Sequence, residues 1–324
     1  MQTESKKILE IENKASLFAC PHCKSTLNEQ LKCVSAECGR VYSTKDTIPI
    51  LIDKDNSIFD PAQIAKRNVF FNRSGKRWRL WDPHRKLTLR SLGLASAKNF
   101  RKLADLLGEK NYSRVLIIGG GSLGQGLKSI IDLPNIEFIE CDVFLGPRTQ
   151  IVCDAHSLPF TNCSFDGVII QAVLEHVLDP HQCVKEIYRV LDKDGIVYAE
   201  TPFMQQVHGA QFDFTRFTHL GHRRLFRWFT EIESGVVCGP GMALAWSYQF
   251  FLLSFSHNRK IREFLKVVSW ITSFYLHFFD YFLIKKASAL DAASGLFFMG
   301  RKAVTPISDK ELIGSFRGVP FTLE

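Results

Sequence analysis

Four cysteines near the start of the sequence have the spacing of metal ligands. Cys20 and Cys23 form a Cys-x-x-Cys pair, and Cys33 and Cys38 lie a short distance further on. A Cys-x-x-Cys turn directs two thiolates at one tetrahedral ion, and the second pair could close the tetrad from another hairpin. We expect His22, between the first two thiols, to point outward. The pattern predicts a structural Zn²⁺ ion, with a metal-free module as the alternative.

A glycine-rich turn follows a strand-like run in the middle of the sequence. The apolar run leads into Gly119, Gly121 and Gly124, which have the spacing Gly-x-Gly-x-x-Gly. A strand, such a turn and then a helix let the backbone approach a ligand closely. The next predicted strand ends in Asp142. Its carboxylate could accept both ribose hydroxyls of an adenosine ligand.

Imidazole, carboxylate and guanidinium groups cluster after the last parallel strand that we predict. This segment contains His208, Asp213 and Arg216, at the end of a sheet where function collects in open α/β folds. His208 and His176 are candidates for a general base. Asp213 could orient a histidine, and Arg216 could bind an anionic substrate group bidentately. Alternatively, Asp213 and Arg216 pair with each other and hold the loop.

The elements that must position these residues fit one α/β domain with a small accessory module. The chain has 324 residues, of which 46% are hydrophobic and 23% are charged, as in ordinary folded proteins. Strands predicted at 113–118, 136–142, 165–170 and 196–200 alternate with turns and helices, one of them at 180–191. Such alternation favours a parallel sheet.

We divide the chain into four parts. They are a ribbon-like module at 1–54, a helical linker and cofactor cap at 55–110, a cofactor-binding core at 111–240, and a helical lid with the last strand at 241–324. The module has too few apolar residues for its own core, so a metal would have to supply folding energy. The linker predicts helices at 61–71 and 86–107. Its aromatic residues could cap a cofactor pocket or pack a helix on the domain: Phe70, Phe71, Trp78 and Trp81.

The last part predicts two long apolar helices, at 242–255 and 264–284, between strands at 235–238 and 295–301. The second helix has about 21 residues, close to the length of a membrane span. It contains His277 and Asp280 and has lysines at its flanks. These charges favour a buried lid or a helix on a membrane surface over a span.

Further motifs from 113 to 203 carry a family resemblance. They read Asp154-Ala155-x-x-Leu-Pro-Phe, Ser-Phe-Asp, Leu-Glu175-His176 and Arg-x-Leu-x-x-x-Gly, in that order. This series resembles the class I S-adenosylmethionine (SAM)-dependent methyltransferases, specifically the type-11 group. The resemblance implies a Rossmann-like, seven-stranded sheet, with a zinc-ribbon β module in front and a helical insertion near the end.

The resemblance also implies roles for individual residues. The three glycines would face the methionine part of SAM, and Asp142 would hold the ribose. Asp154 and Ala155 would contact the adenine, while Glu175 and His176 would border the site of methyl transfer. One departure concerns Ile117, because the family usually has an acid at this position to anchor the amino end of the cofactor.

The segment 17–52 is similar to the small zinc-ribbon proteins that activate tRNA and protein methyltransferases. Its end, Asp-Thr47-Ile-Pro-Ile-Leu, has threonine where that family usually has glycine.

We therefore expect a SAM-dependent methyltransferase that acts on a small-molecule, glycan or lipid-linked acceptor. An RNA methyltransferase that uses the ribbon for recognition, or a non-catalytic SAM-binding partner protein, are the alternatives. The net charge of +8 permits an anionic partner but does not require nucleic acid. The polar start of the sequence lacks the apolar run of a signal peptide, which predicts a cytoplasmic protein, with peripheral membrane contact as a further expectation.

Overall fold

A computed structural model describes residues 16–66 and 95–320, and a sheet of nine strands lies at its centre. The strands are β1 (Ser43–Lys45), β2 (Ile48–Leu51), β3 (Ser113–Ile118), β4 (Ile136–Asp142), β5 (Ile151–Cys153), β6 (Phe165–Gln171), β7 (Leu191–Pro202), β8 (Phe229–Cys238) and β9 (Gly295–Lys302). The α-helices are α1 (Pro61–Lys66), α2 (Ser96–Leu107), α3 (Pro180–Val190), α4 (His219–Leu225), α5 (Pro240–Leu253), α6 (Arg259–Ser273), α7 (Asp280–Leu283), α8 (Ala289–Ala292) and α9 (Asp309–Gly314).

The strand order is β1-β2-β5-β4-β3-β6-β7-β9-β8. The strands from β2 to β7 in this order run parallel, and the pairs at the two ends are antiparallel. Helices can cover both faces of the parallel part, which is why β3 and β6 are almost continuously apolar and buried. The seven strands from β3 onward confirm the predicted Rossmann-like sheet. The strand predicted at 235–238 already begins at Phe229, because its first half also pairs with β9.

The N-terminal module is part of the central sheet and of its core. Strand β2 pairs in parallel with β5, placing Ile50 opposite Val152, and Phe18 forms a bridge with Phe160. Phe18 also stacks on the Phe160 ring, with centroids 6.2 Å apart. The apolar residues of the module therefore pack in the same hydrophobic core as those of the large domain. This shared core explains how the module folds with so few apolar residues of its own. A functional boundary at 54 stays a prediction.

The hairpin between β1 and β2 turns at Asp46 and Thr47, which have φ angles of +48° and +68°. Positive φ at both central residues defines a type I′ turn, a conformation that glycine adopts without steric cost. Glycine would therefore be the unstrained residue at the position of Thr47. The short strands predicted earlier in the module are only isolated bridges, such as Leu27 with Cys33.

The apolar helix predicted at 264–284 is wrong as a single helix. Helix α6 ends at Ser273, a 3₁₀ segment covers Phe274–Phe279, and α7 follows. The break brings Asp280 to the start of α5, where its buried carboxylate accepts hydrogen bonds from the backbone N–H groups of Gly241 (2.7 Å) and Met242 (3.0 Å). Satisfying the first N–H groups of α5 thus outweighs continuation of the apolar helix.

The other helix predictions are met within the described residues. Helix α5 matches the prediction at 242–255, and α1 and α2 occupy the described parts of 61–71 and 86–107. Phe70, Phe71, Trp78 and Trp81 lie outside the described residues. None of the helices in the described ranges combines the length and the hydropathy that crossing a membrane requires.

Candidate active site and metal centre

The glycine turn closes against the end of the neighbouring strand. Gly119 has a φ of +79°, and the N–H groups of Gly119 and Gly120 both donate to the Cys141 carbonyl at 2.9 Å. A Cβ atom on Gly119 would stand 2.3 Å from Val173 Cγ2, and one on Gly121 would stand 2.6 Å from Asp142 Oδ2. Side chains at these positions would push the turn away from the crevice at the carboxyl ends of β3 and β4.

Asp142 lies beside the glycine turn, as the spacing predicts. Its Oδ2 accepts a hydrogen bond from Gly121 N–H at 3.0 Å, and its Oδ1 accepts one from Phe144 N–H at 3.1 Å. Burial raises the pKa of this carboxyl group, and the backbone donors oppose the shift. Each carboxylate oxygen has a second lone pair, so Asp142 can hold the turn and still accept a hydroxyl donor.

Asp154 is engaged by its own chain. Its Oδ1 accepts hydrogen bonds from His156 N–H (3.0 Å) and from His156 Nδ1 (2.6 Å), while Ser57 Oγ donates to Oδ2. Burial would raise the pKa of Asp154, but the donors from His156 and Ser57 lower it below its usual value. The structure thus makes Asp154 the cap of the turn that contains the buried Ala155. A contact of either residue with adenine stays a prediction.

A polar pair next to the glycine turn was not predicted from the sequence. Gln171, the last residue of β6, lies opposite the buried Glu200 of β7, and Gln171 Nε2 donates to Glu200 Oε2 at 2.7 Å. A Cβ atom on Gly124 would stand 1.9 Å from Gln171 Oε1. The pair therefore places a carboxylate near the turn, although Ile117 replaces the expected acid. The only sequence signal was that both residues lie near the carboxyl ends of predicted strands.

Phe59 was also missed, since nothing in its local sequence marks it. Its ring stacks on Phe212 with centroids 6.0 Å apart and meets Phe144 edge-on at 5.5 Å. Phe144 follows β4 on the cofactor side, and Phe212 belongs to the loop that carries His208. The segment after β2 thus bridges the two sides of the crevice.

Glu175, His176 and His208 meet at the carboxyl edge of the sheet. His176 Nε2 and His208 Nε2 each lie 3.6 Å from Glu175 Oε1, and the two imidazole centroids are 5.0 Å apart. The Glu175 side chain is 1% exposed. The nearby Glu175 carboxylate raises the pKa of His208, while burial opposes the shift. The structure brings together three of the sequence-predicted residues, from two separate loops.

Asp213 and Arg216 hold the loop that carries His208. Arg216 donates through two nitrogens to the Asp213 carboxylate, and its other N–H groups reach the carbonyls of Gln205, Gln206 and Thr215. Asp213 Oδ2 also accepts the backbone N–H of His208 at 2.7 Å. All five guanidinium donors have partners within the loop, as the loop-pairing alternative expects, and binding of an anionic substrate group by Arg216 stays a prediction. Asp213 orients His208 through its backbone.

The four predicted cysteines form one cluster, whose sulfur atoms all lie within 4.8 Å of one another. Cys20 Sγ is 3.7 Å from Cys38 Sγ, and Cys23 Sγ is 3.4 Å from Cys33 Sγ. Four sulfurs at about 2.3 Å from one Zn²⁺ ion would lie about 3.7 Å apart in a tetrahedron. The thiol geometry therefore fits Zn²⁺.

The backbone around the cysteine pairs is shaped for this cluster. Lys24 and Gly39, which follow the second cysteine of each pair, have φ angles of +64° and +55°. His22 lies outside the cluster, because its Nδ1 is 2.9 Å from Asp53 Oδ2. Lys24 also links the cluster to the large domain, where its Nζ donates to Glu186 Oε2 at 2.8 Å.

The central region of the chain matches a known family model. The family model of the methyltransferase domain matches residues 136–199, which span β4 to most of β7. Together with the strand order, this match gives the chain the fold of a SAM-dependent methyltransferase. No curated protein matches the sequence.

The chain is also similar to solved structures of other proteins. The [4+2]-cyclase SpnF is 17% identical, with a TM-score of 0.39 over 67% of this chain and 84% of its own. A phosphoethanolamine N-methyltransferase from Haemonchus contortus is 17% identical, with a TM-score of 0.40 over 64% and 52%. Geranyl diphosphate C-methyltransferase from Streptomyces coelicolor A3(2) is 13% identical, with a TM-score of 0.38 over 64% and 76%.

Proposed function

We propose that this protein is a SAM-dependent methyltransferase that transfers a methyl group directly to its acceptor. The supporting observation is that the glycine turn and the residues of the acceptor side meet at one edge of the sheet. Val173 packs on Gly119, and Glu175 follows two positions later. The cofactor and acceptor sides of the crevice therefore adjoin.

The residues of the chain would bind the cofactor and align the two reactants. Gly119, Gly121 and Gly124 would leave room for the methionine part, and Asp142 would accept the ribose hydroxyls with its free lone pairs. When bound, SAM supplies a methyl group on a positively charged sulfur. The remaining task is to align a nucleophile with that carbon and to exclude water. The Phe59 ring, which contacts Phe144 and Phe212 on the two sides of the crevice, would help to exclude water.

A hydroxyl acceptor would also have to lose a proton. Its oxygen forms the new bond to the methyl carbon, while the electron pair of the breaking C–S bond returns to sulfur. His208 and His176 are the candidates to take the proton, since both imidazoles lie beside Glu175 and are partly exposed, with 29% and 26% of their side chains accessible. Asp213 would fix the position of His208.

We further propose that the acceptor is a small molecule, a glycan or a lipid-linked compound, and the lipid-linked case has its own support. Helices α5 to α7 and their connections expose large apolar side chains: Phe251, Phe255, Phe264, Phe279 and Phe282. Exposed apolar patches of this kind mark partner or membrane contacts. This region adjoins the acceptor loop, because Gln206 Nε2 donates to Ser247 Oγ of α5 at 3.0 Å.

Membrane contact can be tested with vesicles of phosphatidylcholine and phosphatidylglycerol. Phe282 is 76% exposed, so Phe282→Ser should reduce co-sedimentation with the vesicles while leaving the fold intact. Val304, which is 91% exposed beyond β9, provides the matched control Val304→Ser. If wild type does not sediment with vesicles, or both variants behave alike, the membrane contact is refuted.

The four-cysteine ribbon is proposed to hold a structural Zn²⁺ ion. Because the ribbon shares the core of the large domain, we assign it to stability rather than to reading RNA. RNA retention that falls steeply with salt would instead favour the RNA methyltransferase.

Calorimetric titration with SAM tests the main proposal. We expect micromolar binding by the wild type. Asp142→Asn, which removes the charge and keeps the shape, should weaken it about 10- to 100-fold because charge-assisted hydrogen bonds to the ribose are lost. Asp105→Asn changes an exposed acid on α2 and should bind like the wild type. Absence of SAM binding by the folded wild type would refute the methyltransferase, and equal binding by Asp142→Asn would refute the assigned site.

A further inference from the structure

We propose that Glu175, His176 and His208 form a binding site for a divalent transition-metal ion. A carboxylate oxygen of Glu175 and one ring nitrogen of each histidine lie within 4.8 Å of one another. Two imidazoles and a carboxylate are a donor set that binds Zn²⁺, Mn²⁺, Fe²⁺ or Co²⁺ and leaves coordination positions open. The site is distinct from the four-cysteine cluster.

The hydrogen bonds of the two histidines fix which nitrogen can bind an ion. His176 Nδ1 lies 2.6 Å from the Phe212 carbonyl oxygen, and His208 Nδ1 lies 3.2 Å from that of Gln206. A carbonyl only accepts, so each Nδ1 must carry the hydrogen and each neutral ring has its lone pair on Nε2. Backbone carbonyls commonly orient metal-binding histidines in this way.

Both Nε2 atoms face the buried carboxylate of Glu175. Within the described part of the chain, neither Glu175 oxygen has a hydrogen-bond partner, and the residue is 1% exposed. A buried carboxylate needs a compensating charge or donor. Two ring lone pairs and an anion converge here, which is the arrangement of donors that binds a cation.

The separations favour a metal ion over a proton. The distance from Glu175 Oε1 to each Nε2 is 3.6 Å, which is longer than an N–H···O bond. Ligand atoms about 2.0–2.2 Å from one ion lie about 2.8–3.6 Å apart, from octahedral to tetrahedral geometry, so the observed separations are at the upper end of this range. A proton on one Nε2 would also satisfy only one of the two contacts, whereas an ion satisfies both.

The inferred ion also has an entry route and a use. Both imidazoles are partly exposed, which allows an ion to reach the buried carboxylate. This use rests on the proposed methyltransferase activity. The ion would bind the oxygen of a hydroxyl acceptor and lower the pKa of that hydroxyl group. The hydroxyl proton would then pass to solvent, and His176 and His208 would act as ligands instead of bases.

Cobalt titration of the full-length, zinc-loaded protein tests the site. Zn²⁺ occupies the thiolates, so added Co²⁺ should bind one equivalent with visible d–d absorption and without thiolate-to-cobalt charge-transfer bands. Glu175→Gln keeps the shape of the side chain and should weaken Co²⁺ binding more than about a hundredfold. A residue that only hydrogen-bonds to a metal ligand typically changes the affinity by about 10- to 100-fold, so the larger loss identifies Glu175 as a ligand. His208→Asn should weaken it similarly and carries the test if Glu175→Gln does not fold.

Matched controls change an exposed acid and an exposed histidine elsewhere, as Glu109→Gln and His181→Asn, and should bind Co²⁺ like the wild type. The proposal is overturned if the wild type takes up no Co²⁺ beyond its thiolate site, or if Glu175→Gln and His208→Asn both bind as tightly as the wild type. SAM titration separates the two proposals. Co²⁺ binding without SAM binding supports the metal site and refutes the methyltransferase, and the reverse result refutes the metal site alone.

Discussion

Lowering the pH should destabilise this protein through His222, which is buried in an aromatic cluster. The residue is 1% exposed, and its ring lies 5.3 Å from Phe226, 6.1 Å from Phe217 and 6.4 Å from Phe298 between centroids. Neither ring nitrogen has a hydrogen-bond partner among the described residues. Burial lowers the pKa of His222 from 6.5 to about 3, and His219 adds to this shift.

The size of the effect follows from the two pKa values. In the unfolded chain His222 binds a proton as the pH falls below 6.5, while in the folded protein it stays neutral until about pH 3. The unfolded state therefore gains protons first, and stability falls as the pH falls through this window. Between about pH 7.5 and about pH 5 the loss from this residue alone is about 2 kcal/mol.

Urea unfolding of the wild type and His222→Phe at both pH values measures this loss. The phenylalanine cannot be protonated, so the variant should lose about 2 kcal/mol less stability than the wild type between the two conditions. Any packing cost of the larger ring is the same at both pH values and cancels in the comparison. His257→Gln, which changes an exposed histidine, should leave the pH dependence unchanged. Equal losses in wild type and His222→Phe would refute the reasoning.

Three further predictions concern the ribbon and a backbone position. Thr47→Gly should raise the free energy of unfolding by about 1 kcal/mol, because the exposed Thr47 has a φ of +68°; urea unfolding that shows no gain would contradict this. Cys33→Ser should lower the stability of the whole chain by more than about 3 kcal/mol in one cooperative transition, and two separate transitions in circular dichroism would disprove the shared core. Gly126→Ala should cost more than about 2 kcal/mol, since Gly126 has a φ of +84° and its Cβ would stand 2.9 Å from Ala97 N. Gly314→Ala, with open space around it, is the control and should change stability by less than about 0.5 kcal/mol in the same chemical denaturation.

Features that depend on neighbouring residues could be predicted from the sequence. The Cys-x-x-Cys spacing, the apolar run into Gly119 and the acid at Asp142 are local patterns. The structure forms a cysteine cluster from the first and places the other two at the carboxyl ends of β3 and β4. Such patterns predict structure because residues that are close together in the sequence must also lie close together in space. Fold class and the cysteine cluster could therefore be predicted.

Contacts between distant segments could not be predicted in this way and became visible in the folded chain. Glu175 and His208 come from loops after different strands, and their approach depends on where Asp213 and Arg216 fix the second loop. The break before Asp280 depends on the unsatisfied N–H groups of α5, to which the sequence of the broken helix gives no clue. Such contacts depend on how separate helices, strands and loops pack together. A local sequence pattern carries no information about which residues far away in the chain will lie beside it.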